Sequence, residues 1–467
     1  MPKSEEPSYP YPMEQSVPRS PRVRAITVLL LSLMAPFSWL GCAPKSADDV
    51  ASIAVIGDTQ MMTEPAPREM AGKFADETSW LQANATTLRL RFVLQLGDLT
   101  NGTFKEGGYT TPATNTHGLT EMAYAKEAMD KLWRPANGPA IPWTVTLGNH
   151  DVDEWCWGSL QGRSKVSPDP RCSPGGVIIN GGGRSRRTSN FAHIFPKGYF
   201  TAMPTWGGSS SDLNVNNNYH KLTIGDQSWL VVALMWAPQQ VDFDWANTVI
   251  SKEVAANPKV RVILATHGFM HPLWNGDPSR LLSGIAFGNA RALYDNVIRL
   301  HPQIRLVLGG HWPQPQPREP DGQCLDKAAV RTFSPCKWVR KMTVNVPATD
   351  SVRAFTFHAL LTDYSYNGNA QIANLYVAPT DLTLPSPALI ERATTDNAFF
   401  RLLTFDSSKN TIRVRTITDP SNLHPGVPMP KGCASVSLTD LRLETDVCGK
   451  TDAAYGTSED DYTLTYQ

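Results

Sequence analysis

From Ser52 onward, short apolar runs alternate with stretches whose apolar residues recur at helical spacing. "SIAVIGD" (52–58), "RFVLQLGD" (91–98), "IPWTVTLGNHD" (141–151), "VRVILATHG" (260–268) and "IRLVLGGHW" (304–312) read as strands. Between them, the span from Arg68 to Leu88 and the stretches "LTEMAYAKEAMDKLW", "DWANTVISKEVAA" and "GNARALYDNVIRLH" read as helices, and "YHKLTIGDQSWLVVALMW" reads as a hairpin. Strands alternating with helices imply an α/β fold with a largely parallel sheet and helices on its faces. "GGVIINGGGRSRRTSN" and "PTWGGSSSDLNVNNN" break the alternation and read as long surface loops. "VRAFTFHALLTDY" and "FFRLLTFDSSKNTIRVRTIT" are strand after strand, which predicts a second, antiparallel-rich sheet or edge.

The five strand-like runs end on polar residues: "GDTQ" (Asp58, Gln60), "GDLTN" (Asp98, Asn101), "GNHD" (Asn149, His150, Asp151), "THGFMH" (His267, His271) and "GGHW" (His311). In an open α/β sheet, ligands bind beyond the carboxyl ends of the strands, so these loops can converge on one pocket. Carboxylate oxygens mixed with imidazole nitrogens suit zinc, iron or manganese better than calcium. Two such cations need an anionic bridge, which one carboxylate such as Asp98 could supply. A bridging water would then lose its proton near neutral pH and attack a phosphoryl group, and an imidazole could protonate the departing alkoxide. Singly, each Gly-Asp is an ordinary cap or turn; it is their joint occurrence that points to a site.

"GDTQ", "GDLTN", "GNHD", the histidine of "THG" and "GGH", in this order, resemble the calcineurin-like metallophosphoesterases, in an exported bacterial type with GDTQ as first motif. The likeness runs from about Ser52 to His311 and extends toward Pro420. It implies a sandwich of two sheets flanked by helices, with long loop insertions, and hydrolysis of phosphate mono- or diesters at two divalent or trivalent ions (Fe, Zn or Mn). Carried onto this chain, it makes Asp58 a ligand of the first metal and Asp98 the bridge. Asn149, His267 and His311 would then hold the second metal, and His150 would face the substrate phosphate or protonate the leaving group. Three positions depart from the family pattern. Gln60 stands where the first motif usually has histidine, Pro313 where the last motif has its second histidine, and Asn101 where an aspartate commonly orients the catalytic histidine. Asp151 or a backbone group could take over that orienting role. His358 could supply the missing imidazole or be a buried histidine bonded to backbone.

Charge, length and cysteines refine this picture. The 467 residues, 41% hydrophobic, can bury a large core. Lys plus Arg and Asp plus Glu both total 43, so no whole-protein field recruits a polyanion, and specific nucleic-acid binding is disfavoured. Residues 1–50 carry Arg19, Arg22 and Arg24 before "AITVLLLSLMAPFSWL" and "GCAPKSADD", the parts of an export signal. Cys42 after Gly41 resembles a lipoprotein cleavage site, so membrane attachment through a lipidated Cys42, plain cleavage and an uncleaved anchor all stay open. The other six cysteines fall into neighbouring pairs: Cys156 with Cys172, Cys324 with Cys336, and Cys433 with Cys448. They read as three disulfides of an oxidising compartment, because no CxxC zinc spacing occurs.

The expected organisation is an export segment and linker (1–50), a catalytic domain (51–425) with an insertion over about 155–215, and a disulfide-stapled extension (426–467). In the insertion, Arg184, Arg186 and Arg187 either grip a phosphate over the pocket or lie on a solvated loop. His271, before Pro272, reads as a loop residue; His193, His220, His301 and His424 read as surface or core. The functional alternatives are an exported phosphoesterase and a non-catalytic cell-surface binding protein that keeps the fold with a degenerate first metal site.

Overall fold

β1 (Val50–Ile56) dictates the layering, because its side chains alternate between two apolar environments and nearly all are buried. Ile53 and Val55 enter one hydrophobic cluster, Ala54 and Ile56 another. A strand whose successive side chains point to opposite faces can bury both only with a layer on each side. The computed structural model describes residues 49–63, 68–100, 116–152, 188–270, 274, 276–283, 288–311, 339–363, 399–418 and 461–466. All of them belong to one unit, Ser46–Gln467.

After β1 come α1 (Gln60–Thr63), α2 (Arg68–Ala83), β2 (Leu90–Gln95), α3 (Thr116–Trp133) and β3 (Trp143–Val145). Next are α4 (Ser189–Ile194), α5 (Lys197–Thr201), β4 (Trp206–Ser209), β5 (Asn218–Ile224), β6 (Gln227–Leu234), α6 (Gln240–Ala256) and β7 (Arg261–Thr266). The chain continues through α7 (Ala290–Asn296), β8 (Ile304–Gly309), β9 (Val339–Val346), β10 (Phe355–Thr362), β11 (Phe399–Asp406), β12 (Thr411–Thr418) and β13 (Asp461–Thr465). The first sheet has the order β13-β12-β11-β1-β2-β3, the second β4-β5-β6-β7-β8-β10-β9. β1, β2 and β3 run parallel, as do β6, β7, β8 and β10, so the first sheet is parallel at its β3 end and antiparallel beyond β1, whereas the second has a parallel centre with antiparallel strands on both sides. Ile53, Phe92, Trp229, Ile263, Leu306 and Phe405 fill the space between the sheets. Phe74 and Leu81 of α2 and Met122 and Met129 of α3 cover the outer face of the first sheet. Phe243 and Ile250 of α6 and Leu293 of α7 cover that of the second. The two-sheet sandwich flanked by helices is therefore present.

The structure refines three expectations. Of the two readings of the late strands, an antiparallel-rich edge is the one present: β11, β12 and β13 form such an edge of the first sheet, whereas β9 and β10 extend the second. Their inward residues, such as Leu403, Val414 and Leu360, fill the inter-sheet core that a single parallel sheet would have left open. Within the span read as insertion, residues 210–214 are surface loop, as expected, but other described residues pack into the fold. Phe195, Tyr199 and Phe200 of this segment pack round the Trp143 ring at centroid distances of 5.0–6.0 Å, Phe191 packs on Phe195, and "WGGS" becomes edge strand β4. The end of the C-terminal extension is likewise part of the sandwich, since Tyr462, Leu464 and Tyr466 alternate into the inter-sheet core. The first forty-eight residues and all seven cysteines lie outside the described residues, as do His271, Asn101, Pro313, Arg184, Arg186 and Arg187. Among the described residues no helix is long and apolar enough to cross a membrane.

Candidate metal centre

The parallel strands stop at one edge, and glycines let the loops beyond them approach closely. Gly97, with φ +99°, turns the chain after β2; a methyl group there would lie 2.6 Å from His267 Nδ1. At Gly148, after β3, a methyl would collide with the carboxylate of Asp98. Asp98 and His311 themselves have positive φ, 50° and 72°. Left-handed backbone at non-glycine residues is uncommon and clusters at functional sites. Cross-links tie the ends together: Thr59 N–H donates to Asp98 O at 3.0 Å, Trp236 N–H to Leu147 O at 2.7 Å, and Gly310 N–H to His267 O at 2.8 Å.

His267 stands at the centre and is fully buried. Its Nδ1 lies 2.7 Å from Leu96 O, an atom that can only accept, so Nδ1 carries the proton there. That leaves Nε2 facing Asp98 Oδ2 at 3.1 Å and Asn149 Oδ1 at 3.1 Å. The His311 ring is 5.0 Å from the His267 ring, centroid to centroid, and Trp236 packs on His311 at 4.1 Å. One ligand atom each from Asp98, His267 and His311 lie within 4.8 Å of one another. Asp58 borders this group: its oxygens accept from His311 N–H at 3.1 and 3.2 Å, and Oδ1 is 4.0 Å from His267 Nδ1. His150 donates its backbone N–H to Asp98 Oδ1 at 2.8 Å; its ring Nε2 is 4.0 Å from Asp98 Oδ2, and its side chain is 18% exposed.

The charges are poised for a cation. Burial pushes the Asp98 carboxyl up, but the imidazoles of His267 and His150 outweigh it and hold Asp98 well below the ordinary carboxylate range. Burial pushes His267 down, and the Asp98 charge beside it prevails, so its pKa is raised. Asp58 is raised well above its ordinary value by burial, then by the like charges of Asp363 and Asp98; the His311 N–H works the other way. Carboxylates that cannot easily ionise together in a dry pocket, facing an imidazole nitrogen aimed at two oxygens, form a donor set that fits a metal ion. The Nδ1–H bond to a backbone carbonyl is the usual outer-shell device for fixing such a ligand.

The structure thus brings together Asp58, Asp98, Asn149, His150, His267 and His311. Gln60 opens α1 two residues after Asp58 and is 1% exposed. Asp151 ties two strand-end loops together. Its Oδ1 accepts from Thr100 N–H at 3.1 Å and Thr100 Oγ1 at 3.3 Å, and its Oδ2 from Gly148 N–H at 2.8 Å. It clamps the loops after β2 and β3, and burial with the Asp98 charge pushes its carboxyl up to about 7. His358 is not brought to the centre. Its Nδ1 meets Thr343 Oγ1 at 3.0 Å and its Nε2 meets Thr465 O at 3.0 Å, so β9 and β13 hold it inside the sandwich. Sequence reading missed Trp236 and Asp363. Asp363 follows β10 and is fully buried, and "LLTD" ends an apolar run on an aspartate as "VIGD" does, which is the signal that could have found it.

The model of the calcineurin-like phosphoesterase family matches residues 51–315, the segment that carries every residue of this cluster except Asp363. A Bacillus subtilis (strain 168) protein, Uncharacterized protein YvnB, is 21% identical over 266 residues; the match covers 57% of this chain but only 16% of that protein. Among solved structures, a 5'-nucleotidase precursor from Thermus thermophilus aligns with 76% of this chain and 51% of its own, at 12% identity and a TM-score of 0.33, too low to carry an argument. The family match spans more than half of the residues and ends just past His311, so the chain belongs to the calcineurin-like phosphoesterase family.

Proposed function

We propose that this chain is an exported, metal-dependent hydrolase of phosphate mono- or diesters. The observation that carries the reading is His267, whose Nδ1–H is spent on Leu96 O while Nε2 meets the oxygens of Asp98 and Asn149, each at 3.1 Å. Asp98, Asn149, His267 and His311 would hold one ion, and Asp58 with Asp98 and Gln60 would hold part of a second. Bound there, the ions (Fe, Zn or Mn) would supply Lewis acidity and lower the pKa of an attacking water. Asp98, kept ionised by its imidazole neighbours, would supply negative charge to both ions. His150 is fixed through its backbone to Asp98 Oδ1, and its ring stands at the rim of the cluster. From there Nε2 can touch a phosphate oxygen or donate a proton to the departing alkoxide. Export rests on the arginines and apolar run of residues 19–40 and on the even cysteine count beyond Cys42.

Turnover of aryl phosphate mono- and diesters, before and after chelation, tests the activity. We expect turnover that chelator abolishes and added metal restores, and a His150→Ala chain that is about 10²–10⁴-fold slower with normal metal content. Fewer than one bound ion per chain and no chelator-sensitive turnover would favour the non-catalytic, surface-binding alternative. Loss of metal in His150→Ala would remove that residue from its substrate-facing role.

A further inference from the structure

Trp236 follows the end of β6, and its indole packs against side chains from the loops after β7 and β8. Its ring centroid is 4.1 Å from that of His311 and 5.4 Å from that of His267, and the two imidazoles are 5.0 Å apart. The three rings form one packed group. A methyl at Gly268 would lie 2.3 Å from Trp236 Cζ3, so it is the glycine after His267 that lets the indole rest there. Bonds on both sides of Trp236 fix the backbone that carries the indole. Trp236 N–H donates to Leu147 O at 2.7 Å, Met235 N–H to Asn217 Oδ1 at 3.0 Å, and Asn289 Nδ2 to Pro238 O at 3.0 Å. The tryptophan is buried, so its ring faces protein on every side.

The two histidines differ in what directs them. His267 is oriented through its ring nitrogens, Nδ1 against Leu96 O and Nε2 against Asp98 and Asn149. His311 is anchored by its backbone N–H on Asp58, and of the two rings packed on its imidazole the indole is the nearer. An imidazole can take several staggered rotamers about its side-chain bonds, and a fixed flat wall excludes those that would cross it. The orientation that is left brings a ring nitrogen of His311 within 4.8 Å of ligand atoms of Asp98 and His267.

We propose that Trp236 is a positioning residue, whose indole holds the His311 imidazole in the orientation that completes the second metal position. The proposal rests on the metal-dependent reading above. It gives the apolar end of β6 a part in metal binding without any donor atom of its own: the indole limits how far His311 can turn, so less ordering is left to be done when an ion arrives.

Metal-free wild type, Trp236→Leu and Trp236→Phe are titrated with Zn²⁺ in competition with a chromophoric chelator, and melted without metal. His311→Ala identifies the position concerned as the one whose affinity it loses. Trp229→Leu, at the other end of β6 in the inter-sheet core, is the control for lost stability alone. Leucine keeps apolar bulk without a flat ring, so Trp236→Leu should bind Zn²⁺ at that position about tenfold more weakly or worse, as expected for a lost outer-shell support. Trp236→Phe should stay nearer wild type, and Trp229→Leu should melt lower with its Zn²⁺ affinity unchanged. Unchanged affinity in Trp236→Leu, or an equal loss in Trp236→Phe or Trp229→Leu, would overturn the inference and leave the metal reading standing. A wild type that binds no Zn²⁺ would defeat that reading and the inference with it. Should Trp236→Leu fail to fold, zinc-soaked wild-type crystals decide by anomalous scattering. A His311 nitrogen about 2.0–2.1 Å from the ion, with the indole still packed on that ring, upholds the assignment. An ion that His311 does not reach, or reaches only by swinging off the indole, refutes it.

Discussion

Asp151 and Asp98, both at the ends of strand loops, divide the work of this site. Asp98 faces imidazoles and stays charged; Asp151 faces backbone donors and holds the loops that present Asn149 and His150. Removing the clamp leaves two buried N–H groups without their acceptor. Asp151→Ala should therefore lower the free energy of unfolding by roughly 1–3 kcal/mol, read as a shift of the urea midpoint. A change within experimental scatter would mean that the clamp contributes nothing. The loop-tying role of Asp151 is not written beside it in the sequence, because its partner Thr100 lies some fifty residues upstream. The same holds for His358. Its two sequence-level readings could not be separated until Thr343 and Thr465, from strands far apart in the chain, were seen to occupy its ring nitrogens.

At the scale of elements, β13 shows how an edge strand completes the sandwich. Tyr462, Leu464 and Tyr466 close one end of the inter-sheet core, and Tyr466 Oη donates to Gln227 Oε1 at 2.8 Å, linking the strand to β6 of the second sheet. Truncation after Asp460 would expose Ile412 and Val414 and lose three buried side chains, each contributing about 1.5–3 kcal/mol by burial. A loss on the order of 5 kcal/mol is expected in chemical unfolding, together with the first sheet's new open edge promoting association. A truncated chain as stable as wild type would show that β13 is dispensable. The alternation in "DYTLTY" signals a strand, but its partner β12 is some forty residues upstream, and nothing local in the sequence names it.

Across the whole molecule, buried histidines set the acid limit of stability. His220 lies between Phe92 of the first sheet and Trp206 of the second, at centroid distances of 5.0 and 5.4 Å, and burial holds its pKa down to about 3. His301, held by burial at about 4, acts in the same direction. A folded-state pKa below the unfolded value near 6.5 means that the unfolded chain binds more protons in that window. Stability is therefore lost as pH falls from about 6.5 toward 3. Asp151 works oppositely: its folded pKa near 7 exceeds its unfolded value, so its contribution is present at acid pH and is lost as pH rises through 7. The difference between wild type and His220→Gln isolates the histidine. Between pH 7 and pH 5 the wild type should lose on the order of 1–2 kcal/mol more than the variant, measured as urea midpoints. Parallel pH profiles would contradict a neutral buried His220.

By itself, the sequence determined the strand-turn segments, the polar residues they end on and the order of the motifs, because each of these is written in a few neighbouring residues. Asp58, Asp98, Asn149, His150, His267 and His311 were legible for that reason. Tertiary structure alone decided which sheet each late strand joins, that Asp151 clamps loops while His358 braces the interior, and that Trp236 and Asp363 stand beside the cluster. Those outcomes depend on contacts between segments tens to hundreds of residues apart, and on which buried donor finds which acceptor, and neither leaves a local mark in the chain.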